Sequence, residues 1–321
     1  MNTQPFVITV TFNPAIDHTV FVERLVPGAV HRANRSCRQA GGKGVNVATM
    51  LSLGDVSVAV SGFLGEDNPS LFEQHFRVHG LSDDFIRVAG ETRTCIKIID
   101  DSANQTTDLN PQGIQPTHAQ CEALLAALLA RARPGVWFVL AGSLPPGLSI
   151  DFYTTLIRSL RAAEARVAVD TSGPALAAAI ATGVDLAKPN ARELAELLGR
   201  EPADFSDLLA AARDLRNRKV PRLIVSLGGD GALFLTPEAE LRIGAPPVRV
   251  ASTVGAGDSL LAGYLSGLLT GASPDACARL ATVYAWSRLE ALVPVLPPSS
   301  VLLDRMASIP VHPLASPPSK A

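Results

Sequence analysis

Short apolar runs alternate with longer amphipathic stretches along most of the chain. Runs rich in β-branched and aromatic residues, each ending in turn residues, predict strands at 6–12, 56–60, 136–140, 167–169, 223–226 and 232–235. Ala/Leu-rich patterns with helical spacing predict helices at 118–131, 152–163 and 208–217. Strands that alternate with helices are typical of βαβ units, in which the strands are parallel.

The predicted strand at 136–140 reads Val-Trp-Phe-Val-Leu and has no polar position, as a strand covered on both faces of a parallel sheet requires. The sequence therefore predicts an α/β fold with three layers, α/β/α, around a mainly parallel central sheet. Two stretches at about 11–37 and 87–112 interrupt the alternation and look like extended hairpins. Because ligands bind where parallel strands end, we expect these hairpins to form a small β-sheet lid over that edge.

The 321 residues fit one large α/β unit or two smaller domains. We expect a single domain over 1–308 with the lid strands inserted. The segment 309–321 contains several prolines and no apolar periodicity, so we expect it to be a flexible tail.

Composition narrows the class of protein. Hydrophobic residues make up 47% and charged residues 18%, which is typical of a globular protein with a buried core. A formal net charge of −2 gives no positive field to attract nucleic acid or an anionic membrane, and no apolar run is long enough to span a bilayer. The four cysteines are scattered and the N-terminus is a poor signal peptide, so we expect a cytoplasmic protein.

Residues 253–259, Thr-Val-Gly-Ala-Gly-Asp-Ser, precede a run with helical apolar spacing. The glycines end where the helix begins, which leaves backbone N–H groups free to bind a phosphate or the negative charge of a transition state. Asp258 beside them could take the proton of a substrate hydroxyl. A helix cap at Asp258 with a simple glycine turn remains an open alternative.

Residues 40–48, Ala-Gly-Gly-Lys-Gly-Val-Asn-Val-Ala, have a similar character. Gly41 and Gly42 permit close approach of the backbone, and Lys43 supplies a point charge before a helix. The spacing is neither that of a Walker P-loop nor that of a dinucleotide fingerprint. A structural turn with an exposed lysine is the alternative.

Together the two motifs resemble the N-terminal and GAGD signatures of the PfkB, or ribokinase-like, family of sugar kinases. Residues 187–193, Ala-Lys-Pro-Asn-Ala-Arg-Glu, are similar to the N-x-x-E element of that family, although Asn190 and Glu193 also read as a capping box. Residues 226–232 resemble the family segment that lies beside the nucleotide, although a plain hairpin turn would show the same sequence pattern. The strings at 13–17 and 142–147 are most similar to those of the sugar-phosphate kinases within the family.

The resemblance implies a ribokinase-like fold, ATP and Mg²⁺, and transfer of a phosphoryl group to a primary hydroxyl. D-fructose 1-phosphate, giving D-fructose 1,6-bisphosphate, is the expected substrate. Tagatose 6-phosphate or fructose 6-phosphate is the alternative, and a non-catalytic sugar-phosphate sensor is the alternative from another class. The resemblance also implies a homodimer formed through the lid strands.

The family pattern implies a role for each matching residue. Asp258 matches the general base, and the anion hole is matched by Gly255, Ala256 and Gly257. The family residues that bind the sugar are matched here by Asp17, Gly41, Gly42, Asn46 and Ser143. Lys43 and Arg93 are the cations expected to bind the substrate's phosphate. The nucleotide side is matched by Lys188, Asn190, Ser226, Gly228, Gly229, Gly231, Thr253 and Val254 together with the anion hole. Asn190 and Glu193 are expected to hold Mg²⁺, directly or through water.

One segment departs from the family pattern. Residues 285–294 carry the bulky Trp286 and a pair of opposite charges where relatives have small residues beside the adenine.

Overall fold

The computed structural model describes residues 7–103 and 105–315. The strands are β1 (Val7–Thr11), β2 (Ala15–Val22), β3 (Arg35–Gly41), β4 (Val58–Gly65), β5 (Ser82–Val88), β6 (Thr94–Asp100), β7 (Gln105–Leu109), β8 (Trp137–Ala141), β9 (Arg166–Asp170), β10 (Leu186–Ala187), β11 (Arg222–Ser226), β12 (Ala232–Leu235), β13 (Glu240–Ile243) and β14 (His312–Pro313). The helices are α1 (Lys43–Leu53), α2 (Ser70–Val78), α3 (His118–Leu129), α4 (Ile150–Ala162), α5 (Gly173–Thr182), α6 (Ala191–Leu198), α7 (Phe205–Lys219), α8 (Ala256–Leu269), α9 (Pro274–Leu289) and α10 (Ser299–Ser308).

The larger sheet has the strand order β14-β13-β12-β11-β10-β9-β8-β1-β4-β5. Its strands from β11 to β5 are parallel to one another, whereas β12, β13 and β14 add antiparallel pairings at one edge. The sheet is therefore mainly parallel, as the alternation of strand and helix predicts.

Alternate residues of the central strands enter two separate cores. In β8, Trp137 and Val139 pack on one face with α1, α2, α8 and α9, while Phe138 and Leu140 pack on the other face with α3, α4 and α5. All five residues of β8 are buried. A strand covered on both faces has to be apolar throughout, which is why this run has no polar position.

A second sheet of four strands, in the order β3-β2-β6-β7, forms the lid. Its strands come from the two stretches that interrupt the strand–helix alternation, although β3 extends to Gly41 and the second stretch begins within β5 of the larger sheet. β2 pairs with β3 antiparallel and with β6 parallel.

The chain runs outward from β1 in both directions, to β4 and β5 on one side and to β8, β9, β10 and β11 on the other. The carboxyl ends of these strands meet at one edge, and a crevice opens where the strand order reverses. Asn13 and Ser143 follow β1 and β8 there, and the side-chain amide of Asn13 donates to the Ser143 hydroxyl oxygen at 3.3 Å. The fold thus brings residues that are distant in sequence to one edge.

The described part of the C-terminal tail differs from the expected flexible segment. Ile309 is buried, β14 pairs with β13, and the Leu314 N–H donates to the Glu240 carbonyl at 2.9 Å. An exposed sheet edge supplies backbone partners that a proline-rich segment can use without apolar periodicity. Residues 316–321 lie outside the described residues. Within 7–103 and 105–315, no helix is both long and apolar enough to cross a membrane.

Candidate active site

Asp258 lies in the first turn of α8, where the helix begins without a side-chain cap. The preceding Gly255 has a left-handed backbone, with φ 77°, which a residue with a side chain rarely adopts. Asp258 is 6% exposed, and its Oδ2 accepts a hydrogen bond from Nδ2 of Asn46 at 2.7 Å. The predicted base and the predicted anion hole of Gly255, Ala256 and Gly257 are therefore one structural unit.

Burial and, to a smaller extent, the nearby carboxylate of Asp170 together raise the pKa of Asp258 to about 6, against the opposing effects of Lys43, Asn46 and Lys188. A carboxylate with this pKa is ionised at neutral pH and is more basic than an exposed one. These are the properties that a general base needs.

Asp17 lies in β2 at the root of the lid. Its carboxylate packs directly against Gly41, at a separation that leaves no room for a side chain there. Burial raises the pKa of Asp17 to about 6, against the opposing effects of Lys97, Arg93 and Arg288. The glycine is thus required for Asp17 to lie where it does.

Asp170 ends β9 and is completely buried between two lysines. Its Oδ1 accepts from Nζ of Lys43 at 2.7 Å, and its Oδ2 lies 2.9 Å from Nζ of Lys188. Burial opposes the ionised form of Asp170, but the two lysines outweigh it and lower the pKa. Lys188 also lies beside the anion hole, since a methyl group on Gly257 would be 3.3 Å from its Nζ. Lys43 is therefore held on this side of the site, by an acid that the sequence motifs do not contain.

Asn190 and Glu193 form the capping box of α6. Oδ1 of Asn190 accepts from the Glu193 N–H at 2.8 Å, and Oε2 of Glu193 accepts from the Asn190 N–H at 2.9 Å. The capping box that the sequence also indicates is therefore present, and the expected metal role of these two residues stays a prediction. This arrangement leaves Oε1 of Glu193 free of the capping box, 3.7 Å from Nζ of Lys43.

A magnesium ion that accompanies ATP takes few ligands from the protein and keeps several waters. Oε1 of Glu193 and the carboxylate of Asp170 supply the hard oxygen donors that such an ion prefers. The described residues contain no cluster of three or more His, Cys, Asp and Glu side chains that could hold a metal without phosphates. The site therefore fits a metal bound mainly by nucleotide and water.

The glycine turn expected at the nucleotide follows β11. Ser226 bridges to Asn190, and residues 228–230 form a 3₁₀ turn with exposed glycines. These residues lie at the carboxyl edge of the sheet, in line with Lys188 and Asn190. Thr253 is exposed before α8, whereas Val254 lines the cavities on the Asp17 side.

Arg93 is tied to the backbone. Its guanidinium donates to the carbonyl oxygens of Asn13, Pro14 and Pro111 at 2.8–3.3 Å. Three of the five N–H groups of an arginine are thereby used, so two remain for a ligand. Ser143 is exposed at the end of β8 and accepts from Asn13.

Two cavities adjoin the lid. One, of about 280 Å³, lies between the lid and the α9 end and is lined by Asp17, Lys97, Asn110, Ser252 and Arg288 among others. The other, of about 400 Å³, shares Asp17 and Arg288 and reaches Asn46 and α2. A third cavity of about 420 Å³, between α5, α6 and α7, contains none of the predicted site residues.

Asp170 and Arg288 are the site residues that the sequence motifs miss. Asp170 directly follows the predicted strand at 167–169, so its position at the carboxyl edge of the sheet could have been inferred from the sequence. Arg288 belongs to the segment 285–294, which departs from the family pattern. The two opposite charges of that segment are Arg288 and Glu290. The structure pairs Glu290 with Arg305 at 2.8 Å instead, and Arg288 turns inward, with 5% exposed.

Known proteins resemble most of the chain. A family model described as pfkB family carbohydrate kinase matches residues 10–290. A 1-phosphofructokinase of Xanthomonas campestris is 43% identical over 288 residues, which cover 88% of this chain and 91% of that protein. The 1-phosphofructokinase of Rhodobacter capsulatus is 42% identical over 94% of this chain and 95% of its own, and that of Escherichia coli is 36% identical over 87% and 89%.

Solved structures share the fold. The phosphofructokinase-2 of Escherichia coli, crystallised with substrates and products, has a TM-score of 0.88 at 26% identity and covers 94% of this chain and 98% of its own. A possible 1-phosphofructokinase of Thermotoga maritima has a TM-score of 0.84 at 26% identity, over 96% and 99%. These neighbours confirm the expected ribokinase-like α/β fold with its large mixed sheet and smaller sheet.

Proposed function

Because the chain belongs to the pfkB family of carbohydrate kinases, we propose that it transfers the terminal phosphoryl group of ATP to the free primary hydroxyl of D-fructose 1-phosphate, giving D-fructose 1,6-bisphosphate. Relatives at 36–43% identity over most of the chain carry the name 1-phosphofructokinase. The observation that carries the mechanism is the pairing of Asp258 with the uncapped N-terminus of α8.

Asp258 takes the hydroxyl proton as the oxygen attacks phosphorus. The pKa of Asp258, raised to about 6 chiefly by burial, makes the carboxylate a stronger base while it stays ionised at neutral pH. The hydrogen bond from Asn46 at 2.7 Å orients this carboxylate. The backbone N–H groups at Gly255, Ala256 and Gly257 and the positive end of the helix dipole stabilise the charge on the moving phosphoryl group.

Asp17 orients the sugar by accepting hydrogen bonds from its hydroxyls, with Gly41, Gly42 and Asn46 close around the ring. A carboxylate can accept from two adjacent hydroxyls at once, which fixes the sugar in a way that an apolar wall cannot. The substrate's own phosphate lies at the lid root, where two N–H groups of Arg93 remain after its three backbone bonds and where Ser143 is exposed.

ATP lies along the edge from Lys188 to the turn at 228–231. Lys188 sits beside Gly257 and Asp170, so its charge is positioned at the phosphates. Lys43 is held by Asp170 on the same side and so acts where the two substrates meet. Mg²⁺ supplies charge neutralisation between the phosphates when it is bound, and Glu193 and Asp170 are the residues that would hold it, directly or through water.

We also infer a homodimer through the lid strands and a cytoplasmic location. The lid has two edge strands, β3 and β7, and edge strands pair readily with another chain. Exposed Val26 and Val30 lie in the loop between β2 and β3 and add apolar surface to the lid.

Steady-state kinetics on D-fructose 1-phosphate, D-fructose 6-phosphate and D-tagatose 6-phosphate test the proposal. We expect the highest kcat/KM for the 1-phosphate with MgATP. A preference of more than about tenfold for either 6-phosphate would make the protein a kinase of that sugar instead. Tight binding of a sugar phosphate without turnover would make it a sensor.

A further inference from the structure

Arg288 is a buried cation with unused donors at the active site. It lies in the last turn of α9, is 5% exposed, and lines both cavities next to the lid together with Asp17. Its Nη1 donates to the Ala291 carbonyl at 2.5 Å. Within the described residues, its Nε and Nη2 have no hydrogen-bond acceptor. Because Arg288 lines both cavities, a ligand bound there can complete the hydrogen bonds of its guanidinium.

The space above Gly255 indicates where such a ligand would lie. A methyl group built on Gly255 would lie 3.3 Å from Nε of Arg288, 3.6 Å from Nδ2 of Asn46 and 3.8 Å from Oδ2 of Asp258. Two donors and the proposed base thus border one small space at the N-terminus of α8. On the other side of the same turn, Lys188 lies next to Gly257. The anion hole therefore has a cation on each flank.

The other cations near the site are already paired. Lys43 and Lys188 share Asp170, and Nζ of Lys97 lies 2.5 Å from Oδ1 of Asp108. Arg93 is bonded to three carbonyl oxygens. Arg288 differs from these cations. Within the described residues it has no carboxylate within ion-pair distance and only one backbone acceptor.

Backbone bonds hold Arg288 in place. The Ala251 N–H donates to the Leu289 carbonyl at 2.7 Å, which joins the end of α9 to the segment leading into the anion hole. This bond fixes the end of α9 relative to the anion hole, and the bond from Nη1 to the Ala291 carbonyl orients the guanidinium. Such preorganised charge stabilises a transition state most effectively, because it does not have to reorganise during the reaction.

We infer that Arg288 is a further catalytic residue, whose guanidinium donates hydrogen bonds to the phosphoryl group as it moves from ATP to the sugar. The bond between the sugar oxygen and phosphorus forms while the bond from phosphorus to the bridging oxygen of ADP breaks. The hydroxyl proton goes to Asp258, the electron pair of the broken bond stays on ADP, and Arg288 remains protonated throughout. This inference rests on the proposed phosphoryl transfer.

The substrate's own phosphate is a less suitable ligand for Arg288. That phosphate and the reacting hydroxyl are at opposite ends of the sugar, and Arg288 borders the same space as Asp258. A residue at the reacting end acts on the transition state and so affects kcat, whereas a residue that holds the distant phosphate affects mainly KM.

The test compares Arg288→Met and Arg288→Lys with Arg305→Met as the matched control. Arg305 stacks on Trp286 and pairs with Glu290 at the same helix end, but it lines neither cavity. For Arg288→Met we expect kcat to fall by about a hundredfold or more, with the KM values for ATP and sugar phosphate changed only a few-fold. Arg288→Lys should lie in between, and Arg305→Met should match the wild type.

A second readout separates catalysis from a structural role. The complex of ADP, magnesium, aluminium fluoride and sugar phosphate mimics the moving phosphoryl group. Its affinity should fall in Arg288→Met by about the same factor as kcat, while the affinity for ADP alone stays constant. Unchanged kcat, a rise in sugar-phosphate KM alone, or lower kcat with unchanged analogue affinity would each overturn the inference. If Arg288→Met does not fold, Arg288→Lys carries both measurements. Absence of turnover in the wild type would instead defeat the proposed function.

Discussion

Removing the charge of Asp258 should stabilise the protein while it destroys activity. The pKa of Asp258 rises from an ordinary 3.8 to about 6, mainly because the carboxylate is buried. Between these values the native state binds more protons than the unfolded state, so stability falls as pH rises through this window. About two pKa units correspond to roughly 3 kcal/mol of destabilisation at pH 7 and above. Asp258→Asn keeps an oxygen that can accept from Asn46 and removes this cost.

Urea unfolding at pH 7.5 and at pH 4 measures the effect. We expect Asp258→Asn to be more stable than the wild type by about 3 kcal/mol at pH 7.5 and nearly equal to it at pH 4. Asp304→Asn, on the exposed side of α10, is the matched control and should change neither value by more than a few tenths of a kcal/mol. An Asp258→Asn protein that is no more stable at pH 7.5, or equally stabilised at both pH values, would show that the ionised Asp258 does not destabilise the fold.

Three further predictions concern the pH dependence of the reaction and the sugar side of the site. Because Asp17 and Asp258 both have pKa values of about 6, log kcat/KM, corrected for ionisation of the substrate, should fall below pH 6 with a slope approaching two. A slope of one throughout would mean that only one of these two carboxylates must be ionised for activity. Gly41→Ala places a methyl group against the Asp17 carboxylate and should raise the sugar-phosphate KM at least about tenfold. Gly244→Ala, which has open space around it, should leave this KM unchanged. Equal KM values for the two variants would mean that the contact between Gly41 and Asp17 does not position the sugar. Arg93→Ala should raise the KM for sugar phosphate far more than that for ATP and also lower the Tm, and equal KM effects would count against its placement.

The fold was predictable where burial leaves a strong pattern. β8 is apolar throughout because both of its faces are covered, and its run is visible in the sequence. β5 was missed because it lies at the sheet edge and begins with exposed Ser82 and Asp83. β14 was missed because two residues paired through backbone atoms leave no side-chain pattern. Edge strands depend on tertiary context, which local sequence does not contain.

The site was predictable where its residues form local strings. In the GAGD string and in the glycine pair, neighbouring residues determine the local backbone conformation. Asp258, Gly255 and Gly41 could therefore be identified from the sequence. Asp170 and Arg288 act through contacts with residues far along the chain. A single arginine in an amphipathic helix looks like a surface residue until the helix is placed against the anion hole.

In the proposed mechanism, Asp258 receives the hydroxyl proton while the α8 N-terminus stabilises the moving phosphoryl group. Single-turnover rapid-quench measurement on Asp258→Asn, at saturating MgATP and D-fructose 1-phosphate, follows this chemical step alone, and calorimetry gives the sugar-phosphate Kd. We predict a rate lower by about a thousandfold or more, with the Kd within a few-fold of the wild type. A rate within tenfold of the wild type would mean that Asp258 is not the base.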